Sequence, residues 1–244
     1  MGLGLSLSRG PYGSALKDQN IRVPTTIKLN VGSGPRVADG WVSLDGSWQV
    51  YFAKRPRLAA FASVISGHKV GTWPKTIVYA NIRKRLAYPD GSIDAVYASH
   101  VIEHLYRDEA LAFLRDAKRV LKIGGICRIV VPDVKAIVGW YLQHKTENKR
   151  EASSDVLMDM MCVSTRARRS GGILLRLCRA WNDIDLHKWM YDAEGLQTLC
   201  IEAGFHRPVV KGCCESEIPG IDLVEKPERI MNGAGICVEA VKEH

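Results

Sequence analysis

The sequence lacks any segment suited to crossing a membrane or entering a secretory route. No apolar run approaches the length of about 18 residues at which a helix becomes a candidate span. Residues 1–20 also lack the basic start and long apolar stretch of a signal peptide. These absences predict a cytoplasmic protein with no transmembrane segment.

Paired cysteine motifs are also missing. The chain has seven cysteines, an odd number, and none of them forms a C-x-x-C pair. Cys213 and Cys214 are adjacent, which is a poor spacing for metal chelation, and most of the others lie in apolar surroundings. The pattern favours core thiols in a reducing compartment over disulfides or a cysteine metal site.

The length of 244 residues permits one large α/β domain with its own core. We expect an N-terminal extension over residues 1–25 and a single domain over residues 26–244. The net charge is +8, with a local excess of arginine in residues 166–179. Such a field can attract nucleic acid, anionic lipid or a phosphorylated substrate, and it can equally be a solvated helix face. Charge alone leaves these alternatives open.

The stretch from Thr26 to Asp45 predicts a ligand site. An apolar run ends in Gly32-Ser33-Gly34, and a second short run ends in Asp45. Glycine at a strand end permits unusual backbone dihedrals and lets a ligand lie against the main chain. Ligands of open α/β sheets bind just beyond the carboxyl ends of the strands. The stretch therefore predicts an adenosine-type cofactor between the glycine turn and Asp45.

The spacing around this turn disfavours two common nucleotide cofactors. A dinucleotide fingerprint needs a third glycine where Val37 stands, and an acidic residue about 20 positions on. Asp45 comes only 11 residues after Gly34. A P-loop would continue with Gly-Lys-Ser/Thr, and this turn continues with Pro35. S-adenosylmethionine carries no phosphate, so a glycine turn and a carboxylate for its ribose would suffice.

The order of the apolar segments predicts a doubly wound, largely parallel sheet. Further strands are predicted at 76–80, 93–98, 126–131, 209–210 and 236–241, and one or two helices at 46–70. A helix with Asp108 as its N-cap is expected to end at Gly124-Gly125. Another is expected to begin at Asp192 and end at Gly204. Residues 134–186 form a helical insertion after the fifth strand, with patches at 134–142, 156–163 and 173–181. Its position predicts a substrate cover.

Five ordered motifs resemble the class I S-adenosylmethionine-dependent methyltransferases. They are LNVGSG, GWVSLD, YPDGSIDAVYASHVIEHL, RVLKIGGICRIVVPD and HKWMYDAEGLQTLCIEAGF. The chain is most similar to bacterial methyltransferase-11-type proteins, often encoded among sugar and cell-surface polysaccharide genes. The resemblance covers residues 27–205 apart from the insertion. It implies a Rossmann-like, mostly parallel seven-stranded sheet and S-adenosylmethionine as the cofactor.

The resemblance also implies a set of cofactor contacts. Gly32 and Gly34 would line the methionine end, Asp45 would hold the ribose hydroxyls, and Asn81 would accept a hydrogen bond from the adenine amino group. Many relatives carry Asp at position 81, and an Asn carbonyl can accept the same bond without charge. Because Pro35 follows the turn at once, the first helix is expected to be very short. The full set of predicted cofactor contacts is Asn30, Gly32, Ser33, Gly34, Asp45, Asn81, Ile82, Ser99 and His100.

The segment from His100 to His104 also spells H-x-x-E-H, the inverted zinc-protease motif. On a helix, His100 and His104 would share a face and could bind zinc with a third ligand from elsewhere. The motif follows a buried strand within a run that the methyltransferase resemblance explains as a whole. We therefore predict no metal site.

Methyl transfer from a sulfonium requires the acceptor to be positioned and its proton to be removed. A hydroxyl acceptor benefits from a base with a pKa near neutrality. The predicted catalytic residues are His100, His104, His187 and Glu103, and a structural role is the alternative for each histidine. The favoured function is O-methylation of a sugar, glycan or other small molecule.

Two other functions remain as alternatives. A nucleic-acid methyltransferase is disfavoured, because Ser99-His100-Val101 stands where an Asn/Asp-Pro-Pro-aromatic motif would serve base amino groups, and no Pro-Cys nucleophile is present. A protein that binds the cofactor without catalysis, as an accessory in glycan assembly, is the second alternative. The sequence predicts neither the acceptor nor the oligomeric state.

Overall fold

The computed structural model describes residues 26–66, 69–147, 154–163, 186–228 and 234–244. The strands in these ranges are β1 Lys28–Val31, β2 Trp41–Asp45, β3 Val78–Tyr79, β4 Ile93–Ser99, β5 Leu121–Pro132, β6 His206–Val210 and β7 Gly235–Val241. The α-helices are α1 Trp48–Ala53, α2 Pro56–Ser66, α3 Arg107–Val120, α4 Val134–Glu147, α5 Ser154–Met160 and α6 Ala193–Glu202. None of the helices in these ranges is both long enough and apolar enough to cross a bilayer.

All seven strands belong to one sheet with the order β3-β2-β1-β4-β5-β7-β6. The first five strands run parallel, and β7 lies antiparallel between β5 and β6. The order reverses between β1 and β4, which makes their junction the topological switch point. The predicted doubly wound, mostly parallel Rossmann-like sheet is confirmed. Strand β3 is shorter than predicted and β5 is longer.

Side chains of alternate residues along the strands pack into two separate cores. Leu29, Val96 and Ile129 belong to the larger core, which also takes apolar side chains from α3 and α6. Tyr97 and Val130, on the other face, pack with Trp41 and with residues 218–224. Because strand side chains alternate between faces, neighbouring residues of one strand pack into different cores.

The cysteines within the described ranges are free thiols. Cys127, Cys200 and Cys237 are buried in the two cores, and burial raises the pKa of Cys200 to about 12. Cys178 lies outside the described residues. The prediction of core thiols is confirmed for the three buried residues, whereas Cys162, Cys213 and Cys214 are exposed.

The connection between β1 and β2 contains no helix, so the prediction of a very short first helix was wrong. Residues 32–40 run through turns, with positive φ angles at Gly32, Gly34 and Gly40. The Trp41 backbone N–H donates to the Ala38 carbonyl at 3.2 Å just before β2 begins. Repeated left-handed glycines reverse the chain within nine residues and leave no stretch for helical hydrogen bonding.

Helix α3 begins and ends earlier than predicted. Its N-cap is Tyr106, whose backbone N–H donates to Glu109 Oε2 at 3.0 Å. Asp108 lies in the first turn, where its charge favours the positive end of the helix dipole. The helix ends at Val120, since Leu121 is already extended, so the predicted end at Gly124-Gly125 was wrong. Those two glycines lie within β5.

The second predicted cap is confirmed, and the insertion is helical where it is described. Asp192 caps α6 by accepting from the Gly195 backbone N–H at 2.7 Å, and Gly204 follows the helix with a φ of 93°. Helices α4 and α5 correspond to the predicted patches at 134–142 and 156–163. The patch at 173–181 lies outside the described residues.

Candidate functional site

A cleft opens at the carboxyl ends of the four neighbouring strands β1, β2, β3 and β4. It lies at the topological switch point, the position where open α/β sheets bind ligands. Each strand leaves one short segment at its rim, so the cleft is built mainly from the turns that follow the strands. Its lining residues are Gly32, Gly34, Asp45, Gly46, Tyr79, Ala80, Asn81, Ile82, Arg83, His100, Val101, His104 and Leu105.

The two glycines of the first turn differ in their surroundings. Both have a positive φ, 67° at Gly32 and 60° at Gly34. A Cβ added at Gly32 would lie 2.3 Å from Val101 Cγ2, whereas a Cβ added at Gly34 would meet nothing within 4 Å. Gly32 is therefore required by packing inside the protein. Gly34 exposes its backbone to the open cleft, which is where a ligand can approach the main chain.

Asp45 joins the glycine turn to the start of α1. Its Oδ2 accepts from the Gly34 backbone N–H at 2.9 Å, and its Oδ1 accepts from the Ser47 backbone N–H at 2.7 Å. Burial raises the pKa of Asp45 from its ordinary value, and the two backbone hydrogen bonds oppose that rise. Each carboxylate oxygen keeps a further acceptor position. The carboxylate can therefore accept from two ligand hydroxyls while it holds the turn.

Asn81 and Ile82 lie just beyond β3, on the side of the cleft opposite His100. Asn81 Oδ1 accepts from the Arg83 backbone N–H at 3.0 Å, which fixes the side chain across its own turn. Ile82 is half-buried and packs against the larger core. Together they offer a polar amide beside an apolar wall, an arrangement suited to a flat heteroaromatic ring.

His100 follows β4 in a strained conformation. Its φ is 55°, a left-handed value that non-glycine residues adopt rarely and that occurs preferentially at functional sites. His100 Nδ1 lies 3.1 Å from Glu103 Oε1, and Glu103 is completely buried. The carboxylate holds the imidazole against the cleft, where it is about a quarter exposed, with 28% of its side chain accessible.

His104, which lines the cleft, forms a ring pair with His187, which does not. Their ring centroids lie 4.9 Å apart at an interplanar angle of 74°, and His104 Nδ1 lies 3.3 Å from the Leu186 carbonyl oxygen. Burial lowers the pKa of His187, although the Glu103 charge and a backbone hydrogen bond to Met161 act in the opposite direction. The His187 backbone N–H donates to the Cys162 carbonyl at 3.0 Å. The end of the insertion therefore reaches the candidate site.

The four predicted catalytic residues, His100, Glu103, His104 and His187, lie together. They are not brought together by an α-helix, as was considered for the H-x-x-E-H motif. Ile102–His104 is a 3₁₀ helix of three residues, and His100 lies before it with a positive φ. His100 and His104 are therefore not related by one α-helical turn.

Three predicted cofactor contacts do not line the cleft. Asn30 faces the other side of the sheet, beside Arg36 and Leu223, because it alternates with Leu29 and Val31. Ser33 is fully buried, and its Oγ donates to the Gly34 carbonyl at 3.1 Å. Ser99 is buried at the end of β4, and its Oγ has no hydrogen-bond partner.

Six residues that line the cleft were not among the predicted site residues: Gly46, Tyr79, Ala80, Arg83, Val101 and Leu105. Gly46 lines the cleft directly after Asp45, and the Asp-Gly pair at a strand end is the sequence signal that could have indicated it. The Tyr191 hydroxyl is buried without a hydrogen-bond partner, and burial together with the Glu103 charge raises its pKa. No sequence pattern places Tyr191 beside Glu103, since the two residues are far apart in the chain.

Part of the chain matches a protein-family model. Residues 56–129 match the methyltransferase-11 family, described as a methyltransferase domain. The matched segment runs from α2 to β5 and contains Asn81, His100, Glu103 and His104. Comparison with curated proteins finds no match.

Solved structures with a similar fold include two S-adenosylmethionine-dependent methyltransferases. One, from Thermotoga maritima, is described as a possible histamine N-methyltransferase; it is 16% identical, covers 91% of this chain and 84% of its own, and has a TM-score of 0.44. The other, from Methanosarcina mazei, is 15% identical, covers 88% of this chain and 92% of its own, and has a TM-score of 0.45. Similarities this distant do not assign a substrate.

Proposed function

We propose that this protein is an S-adenosylmethionine-dependent methyltransferase that acts on a hydroxyl of a sugar, glycan or other small molecule. The observation that carries the proposal is the cleft itself. It combines an open glycine turn at Gly34, a carboxylate at Asp45 and a histidine held by a buried carboxylate at His100. The match of residues 56–129 to a methyltransferase domain supports the same chemistry.

The residues of the cleft fit S-adenosylmethionine. The open position beside Gly34 suits the methionine end, because no side chain there would separate ligand from backbone. Asp45 is suited to the ribose hydroxyls, and Asn81 with Ile82 is suited to the adenine ring. The cofactor supplies an electrophilic methyl group on a sulfonium. The protein has to hold the acceptor in line and remove its proton.

His100 is the base that we propose for this proton. It lines the cleft, and Glu103 Oε1 fixes its ring through Nδ1 at 3.1 Å. A carboxylate behind an imidazole sets the tautomer and stabilises the imidazolium that forms when the proton arrives. His187 does not line the cleft, but it lies against His104 at the end of the insertion. We propose that His187 acts on the acceptor side.

A sugar or other small-molecule hydroxyl is the proposed acceptor for two reasons. A base near neutrality assists hydroxyl acceptors in particular. The sequence also resembles bacterial proteins often encoded among polysaccharide genes. The direct test is incubation with labelled S-adenosylmethionine and fractionated cell extract. Label in carbohydrate or small-molecule fractions supports the proposal, and label confined to nucleic acid contradicts it.

Asp45→Ala tests the cofactor assignment by calorimetry. Loss of the charged acceptor should weaken S-adenosylmethionine binding by about 1.5 to 3 kcal/mol, roughly 10-fold to 150-fold in Kd. Asp39→Ala is the matched control, because Asp39 is an exposed carboxylate on the same connection. An unchanged affinity in folded Asp45→Ala would remove Asp45 from the cofactor site.

His100→Ala tests the base and His187→Ala tests the acceptor side. His100→Ala should lower the rate of transfer about 10²-fold to 10⁴-fold, the usual contribution of a general base. His187→Ala should also depress transfer, and it should bind S-adenosylmethionine with nearly unchanged affinity, because His187 does not line the cleft. His206→Ala is the control, because His206 is an exposed histidine outside the cleft. Equal turnover in wild type and either variant would remove that histidine from the mechanism.

A further inference from the structure

We infer that Glu103, His104 and His187 form a binding site for a divalent transition metal such as Zn²⁺ beside the cleft. One ligand atom from each residue lies within 4.8 Å of the other two. The inference goes beyond methyl transfer and does not rest on it, because metal binding is measurable without cofactor or acceptor.

The buried carboxylate is the first observation behind this inference. Glu103 has no exposed surface, and its Oε2 has no hydrogen-bond partner. Its other oxygen accepts from His100. No lysine or arginine in the described part of the chain forms an ion pair with it. A buried carboxylate oxygen without a partner is costly, and a cation at this oxygen would remove the cost.

The two histidines give a second and independent observation. His187 Nδ1 is buried without a hydrogen-bond partner, so a nitrogen lone pair or N–H is left unused inside the protein. His104 Nδ1 faces the Leu186 carbonyl at 3.3 Å, which leaves its Nε2 for a ligand. Metal-bound histidines typically donate their second ring nitrogen to a carbonyl or carboxylate in this way.

Backbone hydrogen bonds hold the three residues in place before any ligand binds. The backbone N–H groups of Lys188 and Trp189 both donate to the Glu103 carbonyl, at 2.7 and 3.2 Å. The His104 backbone N–H donates to the Val101 carbonyl at 3.2 Å. These bonds fix the segment that carries His187 against the 3₁₀ helix that carries Glu103 and His104. Preorganised ligands of this kind favour metal binding.

The ligand set indicates which metals would bind. Two imidazoles and one carboxylate suit Zn²⁺ and other first-row transition metals better than Mg²⁺ or Ca²⁺, which prefer oxygen alone. Zn–N and Zn–O bonds of about 2.0–2.2 Å require the ligand atoms to close by roughly 1 Å. Three protein ligands leave a fourth position open, as in catalytic zinc sites. His104 lines the cleft, so a ligand at that position could reach the acceptor.

The other two clusters of potential ligands in the described residues lack these features. Glu225 of the Cys213, Cys214 and Glu225 cluster is already bonded to Arg128 at 2.6 and 2.7 Å. The cluster of His206, Glu243 and His244 consists of exposed residues. The exposed cluster provides the control for adventitious binding.

The test is titration of the 244-residue chain with Co²⁺ after treatment with a chelator, followed by competition with Zn²⁺. We expect one equivalent to bind with the visible absorption of a four- or five-coordinate site. His187→Gln and Glu103→Gln should each weaken binding more than about 100-fold, because each removes a direct ligand, compared with 10-fold to 100-fold for outer partners. His206→Gln should leave binding unchanged.

Two results would overturn the inference. One is absence of stoichiometric binding to the wild-type protein. The other is binding that survives both His187→Gln and Glu103→Gln, whether or not His206→Gln weakens it. If either cleft variant fails to fold by circular dichroism, X-ray absorption of the zinc-loaded His206→Gln variant decides, because in the wild type the exposed cluster of His206, Glu243 and His244 would also supply two imidazoles and a carboxylate. Nitrogen and oxygen scattering with two imidazoles supports the site, and sulfur scattering contradicts it.

Discussion

Two regions of this molecule bury a full charge, and they treat it in opposite ways. Arg128, on β5, has no exposed surface, and its guanidinium donates to Glu225 and Glu239 and to the carbonyls of Gly212 and Glu215. Burial alone would lower the pKa of Arg128, but the hydrogen bonds to Glu225 and Glu239 help to raise it above its ordinary value. The cluster joins β5 and β7 to residues 212–225, which include the residues that pack on the core around Trp41 and Tyr97. The guanidinium nitrogens of Arg128 all have hydrogen-bond acceptors within the protein.

Glu103, beside the cleft, is as deeply buried but only partly matched. One of its oxygens accepts from His100, and the other has no hydrogen-bond partner. His187 and Tyr191 nearby also carry buried atoms without a partner. Unsatisfied buried groups are rare in native proteins, and they concentrate where strain or a ligand serves function. The difference is the one expected if the Arg128 cluster stabilises the fold and the Glu103 cluster binds a ligand, as we infer above.

The largest expected effect is on the free energy of unfolding, which should respond differently to substitutions in the two clusters. Arg128→Met should lower the free energy of unfolding by about 3–5 kcal/mol, because it leaves Glu225 and Glu239 buried without a counter-charge. Glu103→Gln in the metal-free protein should change it by less than about 1 kcal/mol, because it removes a charge that is poorly compensated. Chemical denaturation measures both values.

Arg107→Met is the matched control for the arginine. Arg107 pairs with Glu202 at 2.6 Å on the surface, with about 39% and 38% of the two side chains exposed. Exposed ion pairs contribute only about 0 to 1 kcal/mol. A loss in Glu103→Gln as large as that in Arg128→Met would mean that both clusters are structural, and the comparison would fail.

The sequence predicted the packed sheet better than it predicted the candidate site. Apolar runs and turn residues predicted the sheet, because periodicity and glycine act locally. The contact between Glu103 and His187 depends on backbone hydrogen bonds between distant segments, which no local pattern encodes. The missing helix between β1 and β2 and the strained φ of His100 are likewise set by tertiary context. Asn30 was assigned to the cofactor because motif position does not state which face of a strand is open.

A smaller effect on stability is expected at the two glycines of the first turn, because Gly32 is packed against the protein and Gly34 faces open space. Gly32→Ala should destabilise the protein by about 1–3 kcal/mol, because the new methyl group collides with Val101 and the residue must keep a positive φ. Gly34→Ala meets open space and should cost only about 1 kcal/mol, the price of the positive φ. Thermal and chemical unfolding compare the two variants.

The loss of cofactor affinity should follow the reverse order: it should be larger for Gly34→Ala than for Gly32→Ala. The methyl group of Gly34→Ala would point into the cleft, so calorimetry should show a large loss of S-adenosylmethionine affinity in a well-folded protein. Gly32→Ala, once folded, should lose less affinity, because its methyl group faces Val101 rather than the open cleft. Unchanged affinity in Gly34→Ala would place the ligand elsewhere in the cleft.

The smallest effect concerns Asp45. In the degree to which hydrogen bonds compensate its burial, it lies between the Arg128 cluster and the Glu103 cluster. Both of its oxygens accept backbone hydrogen bonds, yet burial still raises its pKa. A raised pKa means that the unliganded fold favours the protonated carboxyl. The ionised form should therefore cost stability above that pKa, and the cost should disappear as the pH falls through it.

Ligand binding should show the opposite trend with pH, because ribose hydroxyls need the ionised acceptor. We expect S-adenosylmethionine affinity to decline on acidification, starting above the ordinary aspartate pKa of about 3.9 and approaching tenfold for each unit below the raised pKa. Calorimetry at decreasing pH should show this decline in the wild type and in Asp39→Ala, but not in Asp45→Ala. If Asp45→Ala shows the same decline, another group titrates, and Asp45 belongs with Arg128 among the residues that only hold the fold.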